Sequence, residues 1–366
     1  MINRIHLKIF LFMERRTFLK ILSSAGIVSL VSPTFAMGVC KNKVSKSSSA
    51  LLESAFLNPP FSSGVYTWWH WMNGNITKDG ITRDLEAMKA NGIAGYQLFE
   101  AGSGIPIGPV ESLSDEWVDL ILHTLKESER LGLEFAMHNC PGWSSSGGPW
   151  ITPDKAMQII TWSETKITGG KQVRIQLPTP KHMFDYYIDT YCLAIPANMK
   201  VIPRLSILEL SNRLDKGGVL TWDVPAGEWL IMRFGQTAKD QKNKSAPSKS
   251  TGLDCDKFST EALDYHLNCM FKRLMPAMEK IAKHSKIGLL IDSYETGDQD
   301  WTSDMPAYFE QNHGYALYPF LPVLANKIIE SEESTKRFKY DFRRTRADMF
   351  AERYYGHFQK RCKEKG

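Results

Sequence analysis

The chain has 366 residues, 43% of them hydrophobic and 23% charged, enough to bury a sizeable core in one large α/β domain or two ordinary ones. Its formal charge of +5 is concentrated at the start, where residues 1–40 hold Arg4, Lys8, Arg15, Arg16 and Lys20 against Glu14, leaving 40 basic and 39 acidic residues in the remainder. A body so close to neutral has no global electrostatic pull toward nucleic acid, and six scattered cysteines without a Cys-x-x-Cys pair argue against a zinc site or a disulfide framework.

Residues 1–36 read as an export signal of the twin-arginine type. Arg15-Arg16-Thr17-Phe18-Leu19-Lys20 precedes an apolar run from Ile21 to Val31 and a small-residue cleavage site at Thr34-Phe35-Ala36. The run is short and broken by Ser23, Ser24 and Gly26, so it leaves no stable membrane span in the mature chain. The expected location is the periplasm or cell surface of a bacterium. Residues 37–58 are Ser/Lys-rich and read as a flexible linker.

From residue 59 to 158 the pattern alternates strand and helix. Val65 to Trp71 is a β-branched and aromatic run; Thr77 caps a helix with Ile81, Leu85 and Met88 on one face, ended by Asn91-Gly92. Gly95 to Phe99 is a second strand, Ser114 caps a second helix ending at Leu131-Gly132, and Leu133 to Met137 is a third strand. Residues 159–245 change texture. Val173, Ile175, Leu177 and then Leu220, Trp222, Val224 alternate with period two, as in an antiparallel β module.

Alternation resumes over 246–366, with a short strand at Gly252 to Cys255, a helix from Ser259 to about His284, a buried strand from Ile287 to Asp292, and a helix from Thr335 to Lys365. That last helix carries eleven basic and four acidic residues, a balance typical of a solvated face. The expected fold is α/β: an incomplete TIM-type (β/α) barrel with an inserted antiparallel β module. About five strand–helix units are visible where an eightfold barrel needs three more, so the chain reads as truncated.

Ligands of such a barrel meet the loops after the strands' C-terminal ends. Here those positions hold Trp69-His70-Trp71-Met72-Asn73, then His138-Asn139-Cys140-Pro141-Gly142-Trp143, then Asp292-Ser293-Tyr294-Glu295 running on to Trp301. Rings to stack and forked polar groups suit adjacent sugar hydroxyls. We therefore assign Trp69, His70, Trp71, Asn73, Glu100, His138, Asn139, Trp143 and Trp301 to substrate binding, and Glu295 with Asp292 to catalysis. Glu295 follows an apolar strand, where desolvation would favour a proton donor. The plainer readings are a satisfied interior histidine at 138 and a merely acidic loop at Asp292, Glu295, Asp298 and Asp300. A calcium site there has no EF-hand spacing behind it. Serine-nucleophile and dinucleotide motifs are incomplete.

The segments Trp68-Trp69-His70-Trp71-Met72-Asn73-Gly74-Asn75, His138 to Trp150, Asp292-Ser293-Tyr294-Glu295-Thr296-Gly297, and Arg343-Arg344-Thr345 with Ala351-Glu352-Arg353-Tyr354-Tyr355-Gly356 resemble the α-L-rhamnosidases of glycoside hydrolase family 106. The resemblance implies an exported, multidomain, inverting enzyme acting on rhamnose-containing oligosaccharides or polysaccharides, with calcium as an associated cofactor. It places the acid on Glu295, with Asp292 beside it. The family's base is a glutamate well over a hundred residues further on. Inversion needs that second carboxylate about 6.5–9.5 Å from the first, so this chain alone is expected to hydrolyse poorly. The competing expectation is a non-catalytic carbohydrate-binding relic of a split gene.

Overall fold

The computed structural model describes residues 46–295 and 297–365, and the segment read as an export signal lies outside the described residues. The chain divides into two compact units, residues 1–63 and 64–366. In the first, Lys46–Leu57 is a helix (α1), followed by a single 3-10 turn at Phe61–Ser63. This corrects the linker reading for those residues: Ala50-Leu51-Leu52-Glu53 and Ala55 are strong helix formers that the serine content had masked. Among the described residues no helix is long and apolar enough to cross a membrane.

The second unit opens with β1 (Val65–Met72), α2 (Lys78–Ala90), β2 (Ile93–Ala101), α3 (Asp115–Leu131) and β3 (Glu134–His138). Thr77 and Ser114 cap the two helices, their hydroxyls each accepting a backbone N–H at 3.1 Å, and Gly132 ends α3 in the left-handed region. The antiparallel module follows: β4 (Gln158–Thr168), β5 (Lys171–Gln176), β6 (Ile188–Pro196), β7 (Val201–Ile202), β8 (Leu208–Glu209), β9 (Val219–Val224) and β10 (Glu228–Ala238). Then come α4 (Thr260–Phe271), α5 (Met275–Ile281), β11 (Ile287–Leu290), α6 (Met305–His313), β12 (Ile328–Ile329), α7 (Glu332–Met349), a π-helical turn at Phe350–Gly356, and α8 (His357–Lys365).

β1, β2, β3 and β11 form one parallel sheet in that order, with Trp69 level with Leu98, Leu98 with Met137, and His138 with Leu290. The sheet is α/β in character, with four strands in place of the expected five and no barrel closure among the described residues. Leu253 to Cys255 is buried but bridges Lys242 and Ala156 instead of joining the sheet, and β11 pairs with β3 directly. One face of the sheet packs Trp69, Trp71, Tyr96, Leu98, Phe135 and Met137 against α2, α3, α4 and α5. The long helix expected from Ser259 breaks into α4 and α5 because Pro276 lies in the first turn of the second piece and cannot continue the first.

The antiparallel strands form a separate sheet, β4-β10-β6-β8, with β5-β9 and β7-β12 as small pairs. Period-two alternation along β6 and β10 divides their side chains. Leu193, Ile195, Leu230, Met232 and Phe234 face one core; Cys192, Ala194 and Ile231 face another with Leu220, Trp222 and Val224. The first of these cores is closed by Trp301, Met305, Phe309, Phe320, Leu321, Phe338 and Phe342. Residues 301–349, read from the sequence as continuing the barrel, therefore complete the antiparallel module. The reason is their aromatic density, which matches the broad apolar face of β10 and β6.

Candidate active site

The strand pleat decides which predicted residues reach the open face of the parallel sheet. Trp69 and Trp71 lie on the helix-covered face; Trp69 packs edge-on against Tyr96 and donates its indole N–H to Asp84 at 3.0 Å. Trp68 and His70 point the other way, and Trp68 is 55% exposed. His70 stacks on Phe99 at 5.4 Å, Phe99 stacks on His138 at 5.0 Å, and Trp68 leans on Phe99 at 5.1 Å. One ring from each of three adjacent strands thus forms a row across the open face, running toward β11.

His138 is buried at the end of that row. Its Nδ1 lies 2.8 Å from the Cys140 carbonyl, and its Nε2 accepts the backbone N–H of Asp292 at 3.3 Å. Burial pulls the imidazole below its ordinary pKa, against smaller upward influences from the Cys140 carbonyl and Asp292. A neutral ring with both nitrogens engaged is a poor general acid or base. Asn139 is equally internal: its amide donates to the Ser145 and Leu290 carbonyls at 2.8 and 3.0 Å, and its oxygen lies 3.0 Å from His266 Nε2. It ties β3 to β11 and is not free for a sugar.

Glu295 emerges beyond β11 with its side chain 40% exposed, 4.0 Å from Lys244 Nζ, and accepts the Ser293 hydroxyl at 2.8 Å. The desolvated setting expected for it is not what the fold provides, because the loop leaves the sheet before residue 295. Lys244 reaches it from the polar loop after β10, which is threaded against the loop after β3: Trp143 N–H donates to the Lys244 carbonyl at 3.1 Å, and Ser144 Oγ accepts the Lys244 N–H at 2.7 Å. Trp143 itself is half-buried beside this junction. Underneath, Lys257 and Asp254 form a fully buried pair at 2.6 Å, and the Lys257 ammonium lies 5.4 Å from the Tyr294 ring.

Three further predicted residues leave the site. Asn73 sits in a left-handed turn (φ 51°), donating to the Ile105 carbonyl at 2.7 Å. Trp301 is wholly buried in the antiparallel core. Glu100 shares the helix-covered side with Trp71 and Leu98, accepts the Ser112 hydroxyl at 2.8 Å, and is pushed up to a pKa of about 7 by burial. The structure therefore gathers His70, His138, Asp292, Glu295 and, through Lys244, Trp143. Sequence reading missed Trp68, Phe99 and Lys244. Strict alternation from His70 would have found Trp68; nothing local marks Lys244.

Calcium needs converging oxygen ligands. Among the described residues no three His, Cys, Asp or Glu side chains gather for a metal ion. The carboxylates of the acidic loop diverge: Asp298 pairs with Arg346 at 3.5 Å, Asp300 accepts the Ile160 N–H at 2.9 Å, and Glu295 turns to Lys244. Among the described residues, the side chains of this loop do not converge as a calcium site requires, and no chemical step is routed through one.

The ring row thus leads toward the loop that carries Asp292 and Glu295. The chain belongs to the α-L-rhamnosidases of glycoside hydrolase family 106, whose model matches residues 57–191 and 181–366. It is 41% identical over 346 residues to a Formosa agariphila protein named "Putative beta-glucuronidase", an alignment covering 86% of this chain and 30% of that one. Its fold is similar to that of a rhamnosidase from Novosphingobium sp. PP1Y, with a TM-score of 0.78 and 24% identity over 86% of this chain and 46% of that one. The chain thus spans less than half the length of either relative.

Proposed function

We propose that these residues supply the sugar platform and the proton donor of an exported, inverting glycoside hydrolase that cleaves α-L-rhamnosides in oligosaccharides or polysaccharides. The observation that carries this reading is the accessible edge of the row, Trp68 and His70, backed by the buried rings of Phe99 and His138 and ending at the backbone of Asp292. Sugar C–H faces stack on accessible rings such as Trp68 and His70, and Glu295, exposed three residues beyond Asp292, can present a proton to a leaving oxygen. Glu100 is not assigned as the second carboxylate, since it shares the strand parity of Tyr96 and Leu98, is buried, and accepts the Ser112 hydroxyl. Inversion also needs a second carboxylate to activate water, and with none assigned at this site the 366-residue chain is expected to bind sugar and turn it over poorly. We further propose, on the twin-arginine pattern of residues 15–20, that the protein works in the periplasm or at the cell surface.

A second reading, a β-glucuronoside substrate, is favoured by Lys244, whose half-exposed ammonium beside Glu295 could meet a uronate carboxylate. Titrating the chain with an aryl α-L-rhamnoside and an aryl β-D-glucuronide separates the two. The rhamnoside should bind, Trp68→Ala should weaken it about tenfold, the loss of roughly one aromatic contact, and hydrolysis should be negligible. Preference for the glucuronide would transfer the assignment to the second reading. Binding of neither would end both, and full turnover would show that a base is present.

A further inference from the structure

We propose that His138 is a positioning residue: held with its proton on Nδ1, it fixes the direction in which the Asp292–Glu295 segment leaves the sheet. This rests on the reading of Glu295 as proton donor. Besides a weaker influence of the Gly142 backbone, the two groups at hydrogen-bond distance from the ring nitrogens fit one protonation state. The Cys140 carbonyl at 2.8 Å can only accept, so Nδ1 must carry the hydrogen; the Asp292 N–H at 3.3 Å can only donate, so Nε2 must offer its lone pair. The ladder between β3 and β11 ends with Leu290, to which Asn139 donates both its backbone N–H and its amide at 3.0 Å. His138 carries the tie past that end, to the residue three before Glu295. Phe99, nearly parallel to the imidazole at 15°, keeps the ring from rotating away.

Every charged or titratable group facing the ring bears on its state. The Cys140 thiol lies 3.6 Å from Nδ1; Asp292, Asp254 and His266 act through space, and Glu100 lines the same small cavity. Burial keeps the ring neutral through physiological pH, so the tie holds there. Protonation of Nε2 in acid would place a donor against the Asp292 donor and release it.

Two substitutions separate positioning from bulk. His138→Asn keeps a donor near Nδ1 but offers nothing at Nε2; His138→Gln extends an amide oxygen toward the Nε2 position. In the wild-type chain at pH 7, 15N NMR should show the Nδ1–H tautomer. The Asp292 amide should exchange with solvent about tenfold faster in His138→Asn, the equivalent of one buried hydrogen bond, and return toward the wild-type rate in His138→Gln. Affinity for the aryl α-L-rhamnoside should follow the same order, while acid should lower the protection factor of the Asp292 amide, its rate relative to the intrinsic one at that pH, in the wild type and not in His138→Gln. An imidazolium or an Nε2–H tautomer in the wild type would overturn the proposal even if both variants fail to fold, as would equal exchange rates in the two variants. If the wild type binds no rhamnoside, the sugar reading fails, and the tautomer and exchange results still decide whether the tie exists.

Discussion

At the residue scale, one strand-end carboxyl is informative for what it does to stability. Glu100 holds its proton until about pH 7 because burial penalises the charge, while in the unfolded chain it titrates near 4.5. The folded state therefore binds more protons between those values. Its contribution is intact below the unfolded pKa and is lost as pH rises through 7, on the order of 3 kcal/mol by pH 8. Glu100→Gln keeps an acceptor for the Ser112 hydroxyl and never ionises. Thermal unfolding should find the variant more stable than wild type at pH 8 and level with it at pH 4.5; a constant difference across that range would mean Glu100 stays ionised in the fold. The same residue shows the limit of position-only reading. Glu100 and His138 both stand at strand ends, but Glu100 shares the parity of Tyr96 and Leu98, which face helices, whereas His138 shares that of Ala136 on the open side. Parity separates Trp68 and His70 from Trp69 and Trp71 in the same way. It was legible in the sequence once the strand was placed, and reading all of Trp69 to Asn73 as one ligand-facing loop concealed it.

At the element scale, the helices with strong caps were legible: Thr77 and Ser114 are local signals for local hydrogen bonds. The loops that build the site were not, because their partners are distant in sequence. The loop after β3 closes over the one after β10 through Gly142, which sits at φ 80° with its N–H on the Glu100 carbonyl at 2.8 Å; a Cβ there would come within 2.1 Å of the Lys244 carbonyl oxygen. Gly142→Ala should cost about 3 kcal/mol or more, combining left-handed strain with displacement of Lys244. Gly170→Ala, in the turn that carries the chain from β4 to β5 in a different sheet, at φ 85° with open space around it, supplies the strain alone and should cost only about 1 kcal/mol. Urea unfolding of the two variants tests the difference. Equal losses would mean that the two loops are not locked together at Gly142.

At the scale of the whole molecule, the division into parallel and antiparallel parts was readable from periodicity, but the ownership of residues 301–349 was not. Periodicity reports that a segment has an apolar face and is silent on which sheet will cover it. Here Trp301, Phe309, Phe320 and Phe338 cover the face made by Ile160, Leu193, Leu230, Met232 and Phe234, and β12 pairs with β7. Stripping that cover would expose five large side chains at roughly 1.5–3 kcal/mol each, as much as the whole stability of a typical domain. Residues 158–238 alone should therefore give a collapsed, poorly dispersed amide spectrum. The fold itself suggests the remedy. Ala238 is level with Gln158 on one side, and the Trp301 N–H donates to the Gln158 carbonyl at 3.2 Å on the other, so the two chain ends flank one residue. Neighbouring strands lie about 4.8 Å apart, so a linker of a few glycines can span from 238 to 301. The joined piece, 158–238 linked to 301–349, should fold cooperatively with dispersed amide signals. If 158–238 folds alone, or if the joined piece stays disordered, the antiparallel module does not depend on the downstream helices as its core indicates.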